Sequence, residues 1–458
     1  MSSSESSPSR RRFLAGAAVA GASVALGCVD RATSLLTPES SALLDRGGND
    51  DHHARTFDHV IVVMMENRSF DHLVGWARHA DGRQEGLKFT DKNGVRHHTH
   101  SLAPDFQGCG FADPDHSYDG GRVQFDGGKC DGFLRSGDND EYAIGYYRQR
   151  DLGFLGRAVE DWTIGDRYFC SILGPTFPNR FYQHSARTDR ISNTLVVSQL
   201  PTIWDRIAAA GLTGRYYYSD LPFIALWGNK YRPIARTFDT FIADAAAGTL
   251  PNLAFIDPSF AGEDAGTSND DHPHADIRSG EHFMHRIYTA VTNSPAWERT
   301  VLVFNFDEWG GFFDHVPPPT LATAPEDVTA GNQDGRLGFR TPLLVVSPFA
   351  REGYVAHDVY DHTSILKMVE TRWKLAPLSA RDAATNNLVN VLDLDGSPRT
   401  APQYPAPPDI LAAPCPAPAS GNLVASVAST TLAGARGMTR TAAWNGLRDV
   451  ARAHGWGM

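Results

Sequence analysis

Short, unbroken apolar runs that each stop on a polar or acidic residue constrain this chain more than any other feature. The run at 60–65 closes on Glu66-Asn67, and the run at 253–256 closes on Asp257. The run at 301–306, interrupted only by Asn305, closes on Asp307-Glu308, and the run at 343–346 closes on Ser347. Runs this short and without alternation suit strands buried on both faces, as in a parallel sheet covered by helices. Helical patterns lie between them. Residues 203–210 end at Gly211, and residues 281–293 place Phe283, Ile287 and Val291 on one stripe. The pattern predicts an α/β fold. In open α/β sheets ligands gather where the carboxyl ends of the strands emerge, and here those ends carry the acids.

Composition narrows the class. With 458 residues, 41% hydrophobic and 21% charged, the chain is globular rather than disordered or fibrous, and its length fits one large α/β unit or two to three domains. Lys+Arg 42 against Asp+Glu 53 gives a net charge of −11 with no dense basic run, which excludes nucleic acid as a partner. The texture divides the chain into a signal at 1–29, a polar tether at 30–56, a main domain at 57–398, and a Pro-rich linker with a small extension at 399–458. Seven prolines fall within 402–418, which reads as a stiff linker or surface wrap. Residues 420–458 suggest one or two small helices and carry no chemistry.

Arg10-Arg11-Arg12-Phe13-Leu14 opens a mildly apolar run rich in Ala and Gly that reaches Val29. This predicts a bacterial twin-arginine signal, with the twin-arginine export machinery as a partner and a periplasmic or extracellular destination. A membrane anchor needs about 20 strongly apolar residues, so no transmembrane span is expected in the mature protein. Ala25-Leu26-Gly27-Cys28 resembles a lipobox, which would anchor the chain by lipid at Cys28. Cys109, Cys130, Cys170 and Cys415 form an even set in an exported protein, where disulfides persist. Of the three pairings, Cys109 with Cys130 closes the shortest glycine-containing loop; free buried thiols are the alternative.

The strand ends carry the chemistry. Glu66 and Asn67 leave a rigid base side by side, and Asp307 and Glu308 repeat the arrangement, followed by Gly310 and Gly311, which permit close backbone approach. One such acid alone reads as a cap or turn residue. Two acidic strand ends point to a metal. Carboxylate and amide oxygens favour a divalent Ca, Mg or Mn ion over structural zinc and leave zinc open. Gly174-Pro175-Thr176-Phe177-Pro178-Asn179-Arg180 reads as a loop whose prolines pin Thr176, and an attacking hydroxyl needs such rigid placement. His116, His272, His315 and His362 each stand beside an acid that can fix the imidazole tautomer, which suits proton donation or contact with a phosphoryl oxygen.

These residues carry a resemblance. The stretch 58–71, with Glu66-Asn67-Arg68-Ser69-Phe70-Asp71, strongly resembles the opening motif of the bacterial and plant phosphatidylcholine-preferring phospholipase C and acid phosphatase family. That family belongs to the alkaline phosphatase superfamily. The resemblance continues through Asp113-Pro114-Asp115-His116, the Thr176 segment, Asn269-Asp270-Asp271-His272-Pro273, the stretch 306–317 and Asp361-His362-Thr363-Ser364, covering roughly 57–395 in family order. It implies an alkaline-phosphatase-like α/β/α sandwich with a mostly parallel central sheet and loop and helical insertions. It further implies Glu66, Asn67, Asp307 and Glu308 as metal ligands, Thr176 as nucleophile, and His116, His272, His315 and His362 around the phosphate.

The activity so implied is hydrolysis of phosphoesters through a covalent phosphothreonine, in phospholipid diesters at a membrane surface. An acid phosphatase acting on monoesters is the nearest rival, and a secreted binding protein that has lost catalysis is the rival from another class. No cysteine begins Cys-x-Pro-x-Arg, which argues against a sulfatase. Trp309 departs from the family, standing where phospholipase C relatives have His, and puts the usual substrate in doubt. His274 falls in a segment where relatives vary. Tyr146, Tyr147, Tyr216, Tyr217, Tyr218 and Trp227 would line a choline-binding or lipid-facing mouth, or else pack the core.

Overall fold

The computed structural model describes residues 56–410, 413–416 and 440–457. The signal, most of the tether and Cys28 lie outside the described residues. Among those described, the main sheet has eight strands: β1 (His59–Met65), β2 (Thr163–Gly165), β3 (Gly214–Tyr218), β4 (Ala235–Thr237), β5 (Leu253–Asp257), β6 (Thr300–Phe306), β7 (Leu343–Val346) and β8 (Val355–Ala356). Their order across the sheet is β8-β2-β7-β6-β1-β5-β3-β4. The predicted runs at 60–65, 253–256, 301–306 and 343–346 all form strands here. β1 is central, pairing in parallel with β5 on one side and β6 on the other, and Val60 to Met65 are fully buried. Its β-branched residues suit a strand covered on both faces.

The sheet is mostly parallel, with one reversal. β7 runs antiparallel to both β6 and β2, which the apolar run at 343–346 could not reveal because a strand buried on both faces looks the same in either direction.

Helices cover both faces, as adjacent residues of β3 show. Successive side chains on a strand point to opposite sides. Tyr216 meets His184 of α1 (Thr176–Ser185) and Trp204 of α2 (Ile203–Ala209), whereas Tyr217 packs edge-on against Phe241 of α3 (Phe238–Ala247). α4 (Ile277–Thr292) packs on α3 and β6, and α5 (His362–Trp373) packs on α1. The result is an α/β/α sandwich. The stripe Phe283, Ile287 and Val291 of α4 is buried, as the 3.6-residue period requires.

The described part of the Pro-rich tail wraps α4, whose Tyr288 hydroxyl donates to the Pro402 carbonyl (2.6 Å) and whose His285 bonds the Tyr404 carbonyl (3.1 Å). A disulfide joins Cys109 to Cys415, while Cys130 and Cys170 are free and buried. Loop length alone favoured Cys109 with Cys130; tertiary wrapping instead brings residues 306 apart together. α6 (Arg440–Ala453) closes the described chain.

Candidate active site

The register of the sheet builds the site's floor. Met65 of β1 aligns with Phe306 of β6, so Glu66 and Asp307 emerge together at the carboxyl ends of neighbouring strands. Asp257 ends β5 on the other side of β1. Asn67 takes a positive φ of 59° and turns its N–H onto Asp307 Oδ1 (3.0 Å), and the Glu308 N–H donates to the same oxygen (2.7 Å). Gly310 has φ 65°, and a Cβ there would come within 2.0 Å of the Asn67 carbonyl oxygen. The close approach expected from the glycines is therefore real.

Thr176 does not sit in a loop. It is the first residue of α1, because proline is tolerated in a first helical turn, where its missing N–H would have had no helical partner. Its Oγ1 donates to Glu66 Oε2 (3.2 Å). One turn on, at i+4 and hence on the same helix face, stands Arg180. Arg180 Nε donates to Glu66 Oε1 (2.8 Å), Nη1 to Asp257 Oδ1 (2.7 Å), and Nε lies 3.7 Å from Asp307 Oδ2. Although burial opposes its charge, Glu66, Asp257 and Asp307 hold this guanidinium above its ordinary pKa. Asp257 is raised to about 7 by burial, against the pull of Arg180. The sequence motif contained Arg180, but only the helical spacing to Thr176 could have signalled its role.

Replacing Arg180 by Met removes the guanidinium that three buried carboxylates share. Urea denaturation is expected to show a loss of about 3–5 kcal/mol; a loss below about 1 kcal/mol would mean that Arg180 does not hold this cluster together.

The histidines divide. His116 and His272 lie near each other, with ring centroids 6.3 Å apart. Each Nδ1 bonds a backbone carbonyl at 2.6 Å, of Pro114 and Pro273 respectively, so Nδ1 carries the proton and Nε2 faces the carboxylates. His116 Nε2 lies 3.8 Å from Glu308 Oε1; His272 Nε2 lies 4.0 Å from Asp113 Oδ2 and 3.9 Å from Glu263 Oε2. His362 stands behind the floor. Its Nε2 donates to the Asp307 carbonyl (2.7 Å) and its Nδ1 accepts from Tyr168 (2.7 Å). Burial lowers its pKa to about 4, so it braces the Asp307 strand end as a neutral imidazole. His315 belongs to a separate cluster: Nδ1 bonds Asp71 (2.6 Å) and Nε2 Asp81 (3.2 Å), beside Arg340.

Asp113, His116 and His272, and separately Asp71, Asp314 and His315, each bring ligand atoms within 4.8 Å of one another and could coordinate a divalent metal. In the second cluster Arg340 already neutralises Asp71 (3.1 Å) and Asp314 (2.9 Å). At the strand ends Glu66, Asp307 and Glu308 are wholly buried oxygen donors of the kind a hard cation takes, with Arg180 against Glu66 and Asp307. Burial, and then the Glu66 charge, push the Asp307 carboxyl well above its usual range, the strain that a cation relieves.

Trp309 is buried among Cys170, Leu173 and Phe339, its indole donating to Gln124 Oε1 (2.7 Å), so it is core packing. The proposed aromatic mouth is also mostly core: Tyr146, Tyr147, Tyr216, Tyr217 and Trp227 are buried. His274 bonds the Phe111 carbonyl (3.0 Å).

Residues 57–376 match the model of the phosphoesterase family. The chain is 31% identical over 381 residues to non-specific phospholipase C6 of Arabidopsis thaliana, covering 74% of this chain and 73% of that protein. It is 28% identical over 435 residues to phospholipase C B of Mycobacterium tuberculosis, covering 78% and 81%. Among solved structures it is similar to a protein in the alkaline phosphatase superfamily from Vibrio parahaemolyticus, at 7% identity and a TM-score of 0.36 over 76% of each chain.

Proposed function

The chain belongs to the phosphoesterase family and is a hydrolase of phospholipase C type, and from that premise we propose that it cleaves phosphodiesters of phospholipid head groups with Thr176 as nucleophile. The observation that carries this reading is the hydrogen bond from Thr176 Oγ1 to Glu66 Oε2 at the head of α1, on the same carboxylate that Arg180 grips through Oε1. The relatives' names supply the substrate class: they are phospholipases C.

Glu66, Asn67, Asp307 and Glu308 would hold a divalent cation, with Ca, Mg or Mn favoured by their oxygen donors. When bound there, such an ion supplies positive charge to the oxygens of the substrate and of the nucleophile. The protein's own groups do the rest. Glu66 fixes the direction of Oγ1 and accepts its proton as Oγ1 attacks phosphorus in line. The P–O bond to the alcohol breaks, and His116 or His272, in its protonated form, gives the departing oxygen its proton. Water then attacks the phosphothreonine and gives its proton to that histidine, while Glu66 returns its proton to the departing threonine oxygen and the phosphomonoester leaves. Arg180 contributes by keeping the carboxylates in place.

The twin-arginine reading of residues 1–29 makes the enzyme an exported one, and the Cys109–Cys415 disulfide supports an oxidising compartment. The test compares a phosphodiester and a phosphomonoester on one preparation, followed by a phospholipid panel with head-group detection. Diester cleavage faster by about tenfold or more is expected. Hydrolysis of monoesters alone would replace this reading with the acid phosphatase, and no hydrolysis of either would leave the binding protein.

A further inference from the structure

Residues 440–457 lie beyond the stretch that matches the family, yet they reach the wall of the site. α6 docks through Ala443, Trp444, Leu447 and Ala451, a helical stripe that is wholly buried. Trp444 adds a polar contact to this stripe. The indole stacks on Phe260 with centroids 4.1 Å apart and planes within 6°, and the same Phe260 ring carries the Arg180 guanidinium 4.7 Å from its centroid. Phe177, the neighbour of Thr176, meets the indole at 5.4 Å. The indole N–H donates to Glu263 Oε2 at 2.7 Å, the oxygen that lies 3.9 Å from His272 Nε2.

The turn that carries Glu263 is gripped a second time. The Cys415 N–H donates to the Ala265 carbonyl (2.8 Å), and Gln107 Nε2 bridges the carbonyls of Gly266 (2.9 Å) and Ala413 (2.8 Å) beside the Cys109–Cys415 disulfide. Two separate C-terminal segments therefore hold the Glu263–Ala265 turn, one through its backbone and one through its carboxylate.

We propose that Trp444 is a positioning residue of the phosphoester hydrolysis: by fixing Glu263 Oε2 it sets the carboxylate against His272, and so the direction in which that imidazole meets the leaving group. The inference rests on the proposed role of His272. Its physical basis is that a donor held on one oxygen narrows the rotation of a buried carboxylate about its terminal bond, alongside the hydrogen bond Glu263 shares with Asp270. A neutral indole N–H does so without adding charge near the histidine.

The test is a double-substitution cycle on the full-length enzyme. Trp444→Phe keeps an aromatic ring on Phe260 and removes the N–H. It is expected to lower kcat about tenfold with KM held within about twofold. Glu263→Gln is expected to lower kcat at least as much, and the double variant no further than Glu263→Gln alone. A purely structural role predicts instead that Trp444→Phe leaves kcat per folded molecule unchanged, or that the two losses multiply; either result overturns the proposal. Benzothienylalanine at position 444 keeps the bicyclic shape without the N–H, and full activity in that protein would overturn it equally, even where Trp444→Phe folds poorly. If the unsubstituted enzyme hydrolyses neither ester class, the functional reading itself falls and this inference with it. An active parent with an unaffected Trp444→Phe sinks the inference alone.

Discussion

Thr176→Val is expected to lower turnover of a chromogenic phosphodiester by at least about ten-thousandfold, because no other hydroxyl takes over as nucleophile. Val matches Thr in shape and fills the same first-turn position of α1, so the helix persists. The loss of the bond to Glu66 costs about 1–3 kcal/mol, which the eight-stranded core absorbs. Circular dichroism should therefore be unchanged while turnover disappears. Thr176→Ser, which keeps a hydroxyl, is expected to retain measurable turnover. Should Thr176→Val hydrolyse the diester within about tenfold of the parent, a covalent phosphothreonine has no place in the mechanism.

Removal of divalent cations by prolonged chelation is expected to suppress activity by at least about a hundredfold, with Asp307→Asn reproducing the loss when metal is present. The reason lies in the packing of the strand ends. Glu66 and Asp307 share Arg180 between them, and burial with the Glu66 charge raises the Asp307 carboxyl. An added cation stabilises such a cluster by mass action, about 2.7 kcal/mol at a hundred times its Kd. Thermal melts should therefore rise with added metal in the parent protein and much less in Asp307→Asn. Equal shifts in both proteins would place the ion elsewhere, with the Asp113, His116 and His272 cluster as the next set to substitute.

Much of the fold was legible because burial on both faces leaves a compositional trace. All four apolar runs became strands, and the acids that close three of them stand at the carboxyl ends. The direction of β7 left no such trace, since apolar runs carry no polarity. The segment around Thr176 was misleading for the opposite reason: Pro175 and Pro178 read as loop punctuation, yet one caps α1 and the other occupies its first turn. In the site, Asp beside His in sequence proved a poor guide to partners. His315 pairs with Asp71 and Asp81, and His362 with Tyr168 and the Asp307 backbone. Arg180 stood within the Thr176 motif, but its role, like that of Trp444, was signalled only by helical spacing, which acquires meaning only once the facing element is known.

What the sequence determined by itself was which residue types end the buried strands and which family they belong to, because side-chain burial and motif order are written locally along the chain. Tertiary structure alone decided that Glu66 meets Thr176 and Asp307, that His116 faces Glu308 and His272 faces Glu263 while His315 pairs with Asp71 and Asp81 in a separate cluster, and that Trp444 reaches Glu263 from a distant helix. Those contacts depend on strand register, on the angle at which helices cross the sheet and on where the C-terminal wrap is fastened. All three are settled by packing between segments far apart in sequence, over distances of a few ångströms that no local pattern encodes.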